Sequence, residues 1–281
     1  MKRSWVDPPL GQVRQVVASA LAEDFGVQGD LTAGLVPDDA TVTASLVARR
    51  EGVLAGRLAA HEAFLAVDPA VSVSWNLADG DRVTEATVIA RVQGPLASVL
   101  SAERTALNLL CHLSGIATLT RRYVDETGGA SKIRDTRKTT PGLRSLEKAA
   151  VRAGGGVNHR ASLSDGILVK DNHLAGVGIA EAVSAAHSRW PGIPCEVECD
   201  TLEQVDQALA AGADMILVDN MTPAQVADAV GRVAGRVPVE VSGGVTLETV
   251  RAYAEAGADL ISVGAITHSA PILDIGLDLE R

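Results

Sequence analysis

Residues 195–264 read CEVECDTLEQVDQALAAGADMILVDNMTPAQVADAVGRVAGRVPVEVSGGVTLETVRAYAEAGADLISVG. They contain four short apolar runs separated by helical stretches. The runs are CEVEC, MILVD, PVEVS and LISVG, and their spacing is close to the minimum for a strand, a helix and two loops. Strand and helix alternation of this kind predicts a parallel sheet. Its regularity favours an α/β barrel over an open sheet.

Two further apolar runs precede this stretch, KIR at 132–134 and GILVK at 166–170. Counting them gives six or seven strands, fewer than the eight of a closed barrel. We therefore expect an incomplete barrel. Cap-like residues should open the intervening helices, namely Asp200-Thr201, Thr222-Pro223 and Thr246.

The first half of the chain has a different pattern. Helical periodicity covers residues 11–24, and short β-branched runs follow, with a hairpin signal at Asp79-Gly80-Asp81. This half is predicted to be an α+β unit of short strands with one helix. A second helical pattern, from about residue 98 to 127, indicates a change of domain within 105–130.

Composition excludes several classes of function. The chain has a net charge of −10 and only seven aromatic residues, which disfavours nucleic-acid binding by phosphate neutralisation or base stacking. No run approaches the ~18 apolar residues of a membrane span, and the N-terminus lacks a signal-peptide core. Cys111, Cys195 and Cys199 form no CxxC motif, which fits a reducing cytoplasm. The last two are expected in a buried strand.

Residues 132–170 carry nine Lys or Arg side chains against three acidic ones, in a chain that is acidic overall. Concentrated positive charge in a cleft suggests a pocket for a small polyanion. Arg144, Lys148 and Arg152 are spaced as one solvated helix face, and Gly154–Gly156 should end that helix. The better-placed ligand groups are Arg137, Lys138, His159, Arg160 and Lys170.

Polar or glycine residues stand at the carboxyl ends of consecutive predicted strands, where α/β-barrel enzymes place their active groups. Lys170 and Asp219 end two of the strands, and Glu198 nearly ends a third. Glu198 and Asp219 offer hard oxygen ligands that suit Mg²⁺ beside substrate phosphates. Ser242–Gly244 and Gly264-Ala265 follow later strands and match the usual barrel phosphate site.

At these residues the chain resembles the quinolinate phosphoribosyltransferase family, the decarboxylating nicotinate-nucleotide pyrophosphorylases. The resemblance runs nearly end to end and implies an N-terminal α/β sandwich (residues 1–113) followed by an incomplete, seven-stranded α/β barrel (residues 114–281). The motifs that carry it are EDFGVQGDLT (23–32), SAERTALNLLCHLSGIAT (101–118), DTRKTTPGLR (135–144), AGGGVNHR (153–160), KDNH (170–173), EVE (196–198), ILVDN (216–220), SGG (242–244) and VGAITHSAP (263–271).

The resemblance implies the substrates quinolinate and phosphoribosyl pyrophosphate, with Mg²⁺. It assigns the quinolinate carboxylates and the pyrophosphate to Arg137, Lys138, His159, Arg160 and Lys170. The remaining implied contacts are Thr136 with substrate, Glu198 and Asp219 with the ribose hydroxyls and Mg²⁺, and Ser242, Gly243, Gly244, Val263, Gly264 and Ala265 with the 5′-phosphate. Lys138, Lys170, Glu198 and Asp219 are the implied catalytic residues.

In this family the residue matching Arg104 reaches into a neighbouring subunit's active site. The resemblance therefore implies a homodimer, or a larger assembly of such dimers. Departures from the family pattern are Ala33, Cys199 and Val241, and none removes a charged group.

Two alternatives stay open. One is a molybdenum-transport-associated relative with the same fold, which tends to lack the lysine at Lys170. The other is a noncatalytic sensor of quinolinate or a nucleotide, for which the acids at Glu198 and Asp219 would be unnecessary.

Overall fold

The structure is a computed structural model that describes residues 7–174 and 176–280. Contacts divide the chain into two compact units. The first comprises the residues up to Arg121, Thr139–Gly155 and Ile266 onward; the second comprises Arg122–Lys138 and Gly156–Ala265. A domain boundary at residues 113 and 114 stays a prediction; one helix, Leu96–Glu126, runs through that point.

Helices and strands alternate through the described residues. The helices are α1 (Leu10–Phe25), α2 (Arg57–Val67), α3 (Leu96–Glu126), α4 (Arg144–Ala153), α5 (Ile179–Arg189), α6 (Leu202–Ala211), α7 (Pro223–Val233), α8 (Val250–Glu255) and α9 (Ala265–His268). The strands are β1 (Thr41–Ala48), β2 (Gly52–Val53), β3 (Ser72–Trp75), β4 (Arg82–Val83), β5 (Val88–Pro95), β6 (Lys132–Arg134), β7 (Ile167–Val169), β8 (Cys195–Cys199), β9 (Met215–Asp219), β10 (Val239–Ser242), β11 (Leu260–Ser262) and β12 (Ile275–Leu279). No described helix combines the length and the hydropathy that crossing a membrane requires.

The first unit is built on an antiparallel sheet of order β12-β1-β5-β3. The last strand of the chain returns to this sheet and pairs with β1. Its strands bury apolar side chains such as Leu46 and Ile89, and α2 contributes Phe64 to the same unit's core. The expected α/β sandwich is confirmed.

Two local predictions for this unit were wrong. Helix α2 was not predicted, because residues 57–67 lie between strand-like runs and carry few helix-start signals. The two runs that flank Asp79–Asp81 do pair antiparallel, as β3 with β5, but they are not joined by a turn at these residues alone. The connection between β3 and β5 instead contains β4, which pairs with β2.

The second unit contains a parallel sheet of order β6-β11-β10-β9-β8-β7. Its strands are short and apolar, as expected for strands covered on both faces. Val157 pairs with Arg134 in a single parallel bridge beside β6, at the place of a seventh strand. The incomplete α/β barrel is therefore confirmed, with the seventh strand reduced to one bridge.

Local sequence signals set the helix starts in this unit. Thr201 and Thr222 cap α6 and α7, and each accepts a hydrogen bond from the backbone of a glutamine three residues later. Thr246 does not begin a helix as predicted. It instead accepts from the amides of Thr249 and Val250, so a turn precedes α8.

Burial corrects the predicted solvated face of α4. Lys148 is only 3 % exposed, and Arg144 and Arg152 are partly buried. The helix packs around most of its circumference, so its charged side chains lie among core residues of the first unit. Gly154 ends it as expected. Cys195 and Cys199 are fully buried, as the sequence predicted.

Asp79 fixes the start of α2 in the first unit. Its carboxylate accepts from the amides of Gly56 and Arg57, each at 3.2 Å. Burial raises the pKa of Asp79 to about 6, against the lowering effect of these amides and of the Arg57 charge. The folded state therefore holds a proton on this carboxyl to higher pH than the unfolded chain does.

We expect Asp79 to lower the stability of the protein as the pH rises from 4 to 7. The pKa is raised on folding, so the stabilisation by the protonated form is complete below the unfolded pKa and is lost as the pH passes about 6. Relative to Asp79→Asn, the wild-type free energy of unfolding should fall by at most about 3 kcal/mol across this range. Urea denaturation at several pH values measures the difference. Asp81→Asn, at an exposed carboxylate bonded to the Ala78 amide, is the control, and parallel curves for wild type and Asp79→Asn would contradict the expectation.

Candidate active site

The carboxyl ends of the parallel strands in the second unit surround one cavity of about 250 Å³. The strand register places their polar end residues at the same level of the sheet. Glu198 pairs with Leu217, and Asp219 pairs with Ser242 on the neighbouring strand. The cavity is lined by Thr136, Arg137, Lys138, His159, Arg160, Leu168, Lys170, Glu198, Leu217, Asp219, Glu240, Ser242 and Ser262.

Most of the site residues expected from the sequence come together here. The lining includes Thr136, the five basic residues, both acids and Ser242. Outside it lie Gly243, Gly244, Val263, Gly264 and Ala265, which directly follow β10 and β11. Arg104 is exposed on α3 in the first unit.

Asp135 joins the two basic loops of the cavity. Its carboxylate is fully buried and accepts from the His159 amide at 2.8 Å and from the Asn158 side chain at 2.5 Å. These bonds fix the segment that carries His159 and Arg160 beside the loop that carries Arg137. The sequence interpretation missed Asp135, although an acid inside a basic segment was a visible signal.

Several positively charged side chains lie close together in the cavity. Burial lowers the pKa of Arg160, and the neighbouring charge of Arg137 lowers it further. Lys170 forms an ion pair with Glu198, so a cation and an acid of the cavity neutralise each other. A polyanion entering this cavity would find several donors facing it.

Glu198 and Asp219 fit the donor set of a magnesium site. They extend from neighbouring strands into one cavity, and Mg²⁺ is usually bound by one or two carboxylates together with waters and substrate phosphates. Asp219 also accepts from the Asn220 side chain at 2.6 Å. Asn220 has a positive φ of 56°, a conformation that Asn tolerates better than most residues.

Two further carboxylates, Glu196 and Glu240, lie deeper among the strands, and the sequence interpretation did not single them out. Both side chains are at least nine-tenths buried, and burial raises the pKa of each, while the Arg134 charge acts in the opposite direction. Glutamates inside the apolar runs CEVEC and PVEVS were the signal that could have found them.

The turn after β10 depends on glycine. Gly243 has φ of +98°, and a Cβ there would collide with the Asn220 side chain and lie 2.8 Å from its backbone nitrogen. Gly244 has φ of +60° but faces open space. The Asn220 amide donates to the Ser242 carbonyl at 2.9 Å, which holds the two turns together.

Comparison with known proteins gives one consistent family. The model for the N-terminal domain of quinolinate phosphoribosyl transferase matches residues 30–114, and that for the C-terminal domain matches residues 116–278. The chain is 47 % identical to the nicotinate-nucleotide pyrophosphorylase (carboxylating) of Mycobacterium leprae, over 97 % of this chain and 99 % of that protein. It is 44 % identical to a probable enzyme of the same name from Bacillus subtilis, over 95 % and 93 %.

Solved structures agree. The nicotinate-nucleotide pyrophosphorylase of Francisella tularensis matches with a TM-score of 0.94 and 38 % identity, over the whole of both chains. These relatives are phosphoribosyltransferases, and the chain is an enzyme of that class with an incomplete α/β barrel. Within that class, the chain belongs to the quinolinate phosphoribosyltransferase family.

We expect Gly243→Ala to be clearly more destabilising than Gly244→Ala. Both substitutions force a side chain into a positive φ, which costs about 1–2 kcal/mol. Only the first also collides with Asn220, and we expect a total loss of about 3 kcal/mol or more. Chemical denaturation of both variants tests this; equal losses would show that the close approach to Asn220 is not a constraint.

Proposed function

We propose that this chain transfers the phosphoribosyl group of phosphoribosyl pyrophosphate to quinolinate and releases pyrophosphate, CO₂ and nicotinate mononucleotide, a step of NAD biosynthesis. The observation that carries the proposal is the single cavity in which Arg137, Lys138, Arg160 and Lys170 meet Glu198 and Asp219. Membership of the family supports the same reaction.

The cations of the cavity suit a substrate with two carboxylates. Arg137 and Arg160 can grip carboxylates through paired hydrogen bonds, whereas Lys138 and Lys170 act as point charges. Quinolinate and pyrophosphate are both compact polyanions, so the four side chains are shared between them. His159 and Thr136 line the same cavity, and Thr136 adds a hydroxyl.

The ribose and phosphate ends of the donor would lie along the later strands. Glu198 and Asp219 are the proposed partners of the ribose hydroxyls and of Mg²⁺, which when bound stabilises the charge on the departing pyrophosphate. The turns Ser242–Gly244 and Val263–Ala265 are the proposed 5′-phosphate contacts. Backbone amides at such glycine-containing strand ends suit a phosphate.

Transfer needs positioning and charge stabilisation more than proton transfer. The pyridine nitrogen attacks the anomeric carbon with its own lone pair, and the bond to pyrophosphate breaks with the electrons leaving on oxygen. Positive charge on the ribose develops near Glu198 and Asp219, and negative charge on the leaving group develops near Lys138 and Lys170. We propose these four as the catalytic residues.

Decarboxylation follows from the product of transfer. The new bond makes the ring a pyridinium, which accepts the electron pair released when the 2-carboxylate leaves as CO₂. The ring carbon then takes a proton from solvent. No further cofactor is required for this step.

We also propose a homodimer in which Arg104 acts in the partner's cavity, and a cytoplasmic location. Arg104 is an exposed cation on α3, available to a second copy. Cys111, Cys195 and Cys199 are all buried and free, which fits a reducing compartment.

The function is tested by incubating the purified protein with quinolinate, phosphoribosyl pyrophosphate and Mg²⁺. We expect CO₂ and nicotinate mononucleotide in equal amounts, with loss of activity on adding a chelator and recovery on returning Mg²⁺. Calorimetry with each substrate separates binding from turnover. Binding without product would favour the sensor, and equal use of nicotinate would indicate a different transferase.

Subunit mixing tests the role of Arg104. Arg104→Ala and Lys170→Met should each be inactive alone, yet two differently tagged copies expressed together should regain activity. In a two-fold symmetric dimer with random pairing, roughly one quarter of the sites would then be intact. Lys170→Met with Asp219→Asn is the control, because no mixed dimer of that pair has an intact site; failure of the first pair to recover would refute action in trans.

A further inference from the structure

A buried cluster of polar side chains supports the cavity from within the second unit. His159 Nε2 lies 3.2 Å from Glu196 Oε2 and 3.7 Å from Glu240 Oε1. Arg134 forms an ion pair with Glu240 and lies 3.8 Å from Glu196 Oε1. Ser262 donates to Glu240 at 2.5 Å. His159 is the member of this cluster that continues into the segment bearing Arg160.

The other ring nitrogen of His159 fixes its protonation. Nδ1 accepts a hydrogen bond from the Arg160 backbone amide at 2.7 Å. A nitrogen that accepts from an N–H carries no proton, so the ring is neutral and its one proton is on Nε2. That proton points at the Glu196 carboxylate, and both ring nitrogens are engaged inside the protein.

The same geometry argues against a metal ion held by His159, Glu196 and Glu240, whose ligand atoms lie within 4.8 Å of one another. A metal at Nε2 needs its lone pair, while Nδ1 already uses its own to accept from Arg160. The ring would have to lose both protons. The trio is therefore a hydrogen-bonded support rather than a metal centre.

We propose that Glu196 is a positioning residue that holds His159 as the Nε2–H tautomer and thereby fixes the backbone of Arg160 for binding a substrate carboxylate. His159 then supplies no ring proton to the ligand. Glu240 keeps Arg134 in place on the other side of the cluster, so that the buried charge of Glu196 has a compensating cation nearby. The link to a carboxylate substrate rests on the proposed function, whereas the tautomer does not.

The connection from Glu196 to Arg160 is continuous and short. The His159 amide is held by Asp135, its ring by Glu196 and the following amide, and the Arg160 guanidinium by the Gly166 carbonyl at 3.0 Å. Removing the carboxylate frees the ring to rotate about its side-chain bonds. The Arg160 backbone amide then loses its acceptor, and the position of the Arg160 side chain becomes less well defined.

Nitrogen NMR of the histidine rings tests the tautomer directly in the wild-type protein. His159→Gln identifies the signal among the six histidines. We expect a neutral ring with the proton on Nε2 at pH 7.5, and no change of protonation when quinolinate is added. An imidazolium or an Nδ1–H ring, with or without quinolinate, would overturn the proposal.

Kinetics test the positioning role. Glu196→Gln retains an oxygen that can accept from Nε2–H, whereas Glu196→Met does not. We expect Glu196→Met to raise the KM for quinolinate by about tenfold with the KM for phosphoribosyl pyrophosphate changed little, and Glu196→Gln to stay near wild type. An unchanged quinolinate KM in folded Glu196→Met, or equal increases for both substrates, would contradict the role.

Asp214→Asn is the matched control, since Asp214 pairs with His187 at 3.0 Å at the opposite ends of the strands. It should shift only the His187 signal and leave both KM values unchanged. If Glu196→Met does not fold, the wild-type ring spectrum still decides the proposal. Absence of turnover in the wild type with an Nε2–H ring would contradict the proposed function and leave the tautomer standing.

Discussion

The buried carboxylate of Asp135 is the interaction on which the rest of the cavity depends. It lies in a fully buried position and is stabilised there by the amide of His159 and the side chain of Asn158. Those two bonds bring a loop after β6 and the segment after Val157 to the same place. Together with the bridge between Arg134 and Val157, they hold Arg137 and Arg160 close to each other although the two positive charges repel.

Much of the fold could be predicted because periodicity and strand ends are local properties. The parallel strands, the caps Thr201 and Thr222, and the convergence of Lys170, Glu198 and Asp219 all follow from short stretches of sequence. Predictions from the sequence were wrong where tertiary packing determines whether a side chain is buried. The spacing of Arg144, Lys148 and Arg152 is that of a solvated face, yet the first unit surrounds α4 and buries Lys148.

The supporting acids were missed for a related reason. The role of a glutamate inside an apolar strand depends on the side chains that it contacts. Glu196 and Glu240 contact Arg134, His159 and Ser262, which lie in three other segments of the chain. Strand-end rules find the groups that face a ligand. They do not find the buried side chains that hold these ligand-facing groups in position.

The ion pair between Lys170 and Glu198 has a thermodynamic consequence. Each side chain of the pair satisfies the other, so an anion that binds Lys170 releases Glu198, and a cation that binds Glu198 releases Lys170. Anion and cation binding are then positively coupled, and by reciprocity each strengthens the other to the same degree. The proposed Mg²⁺ and pyrophosphate group would therefore bind this cavity more tightly together than either would alone.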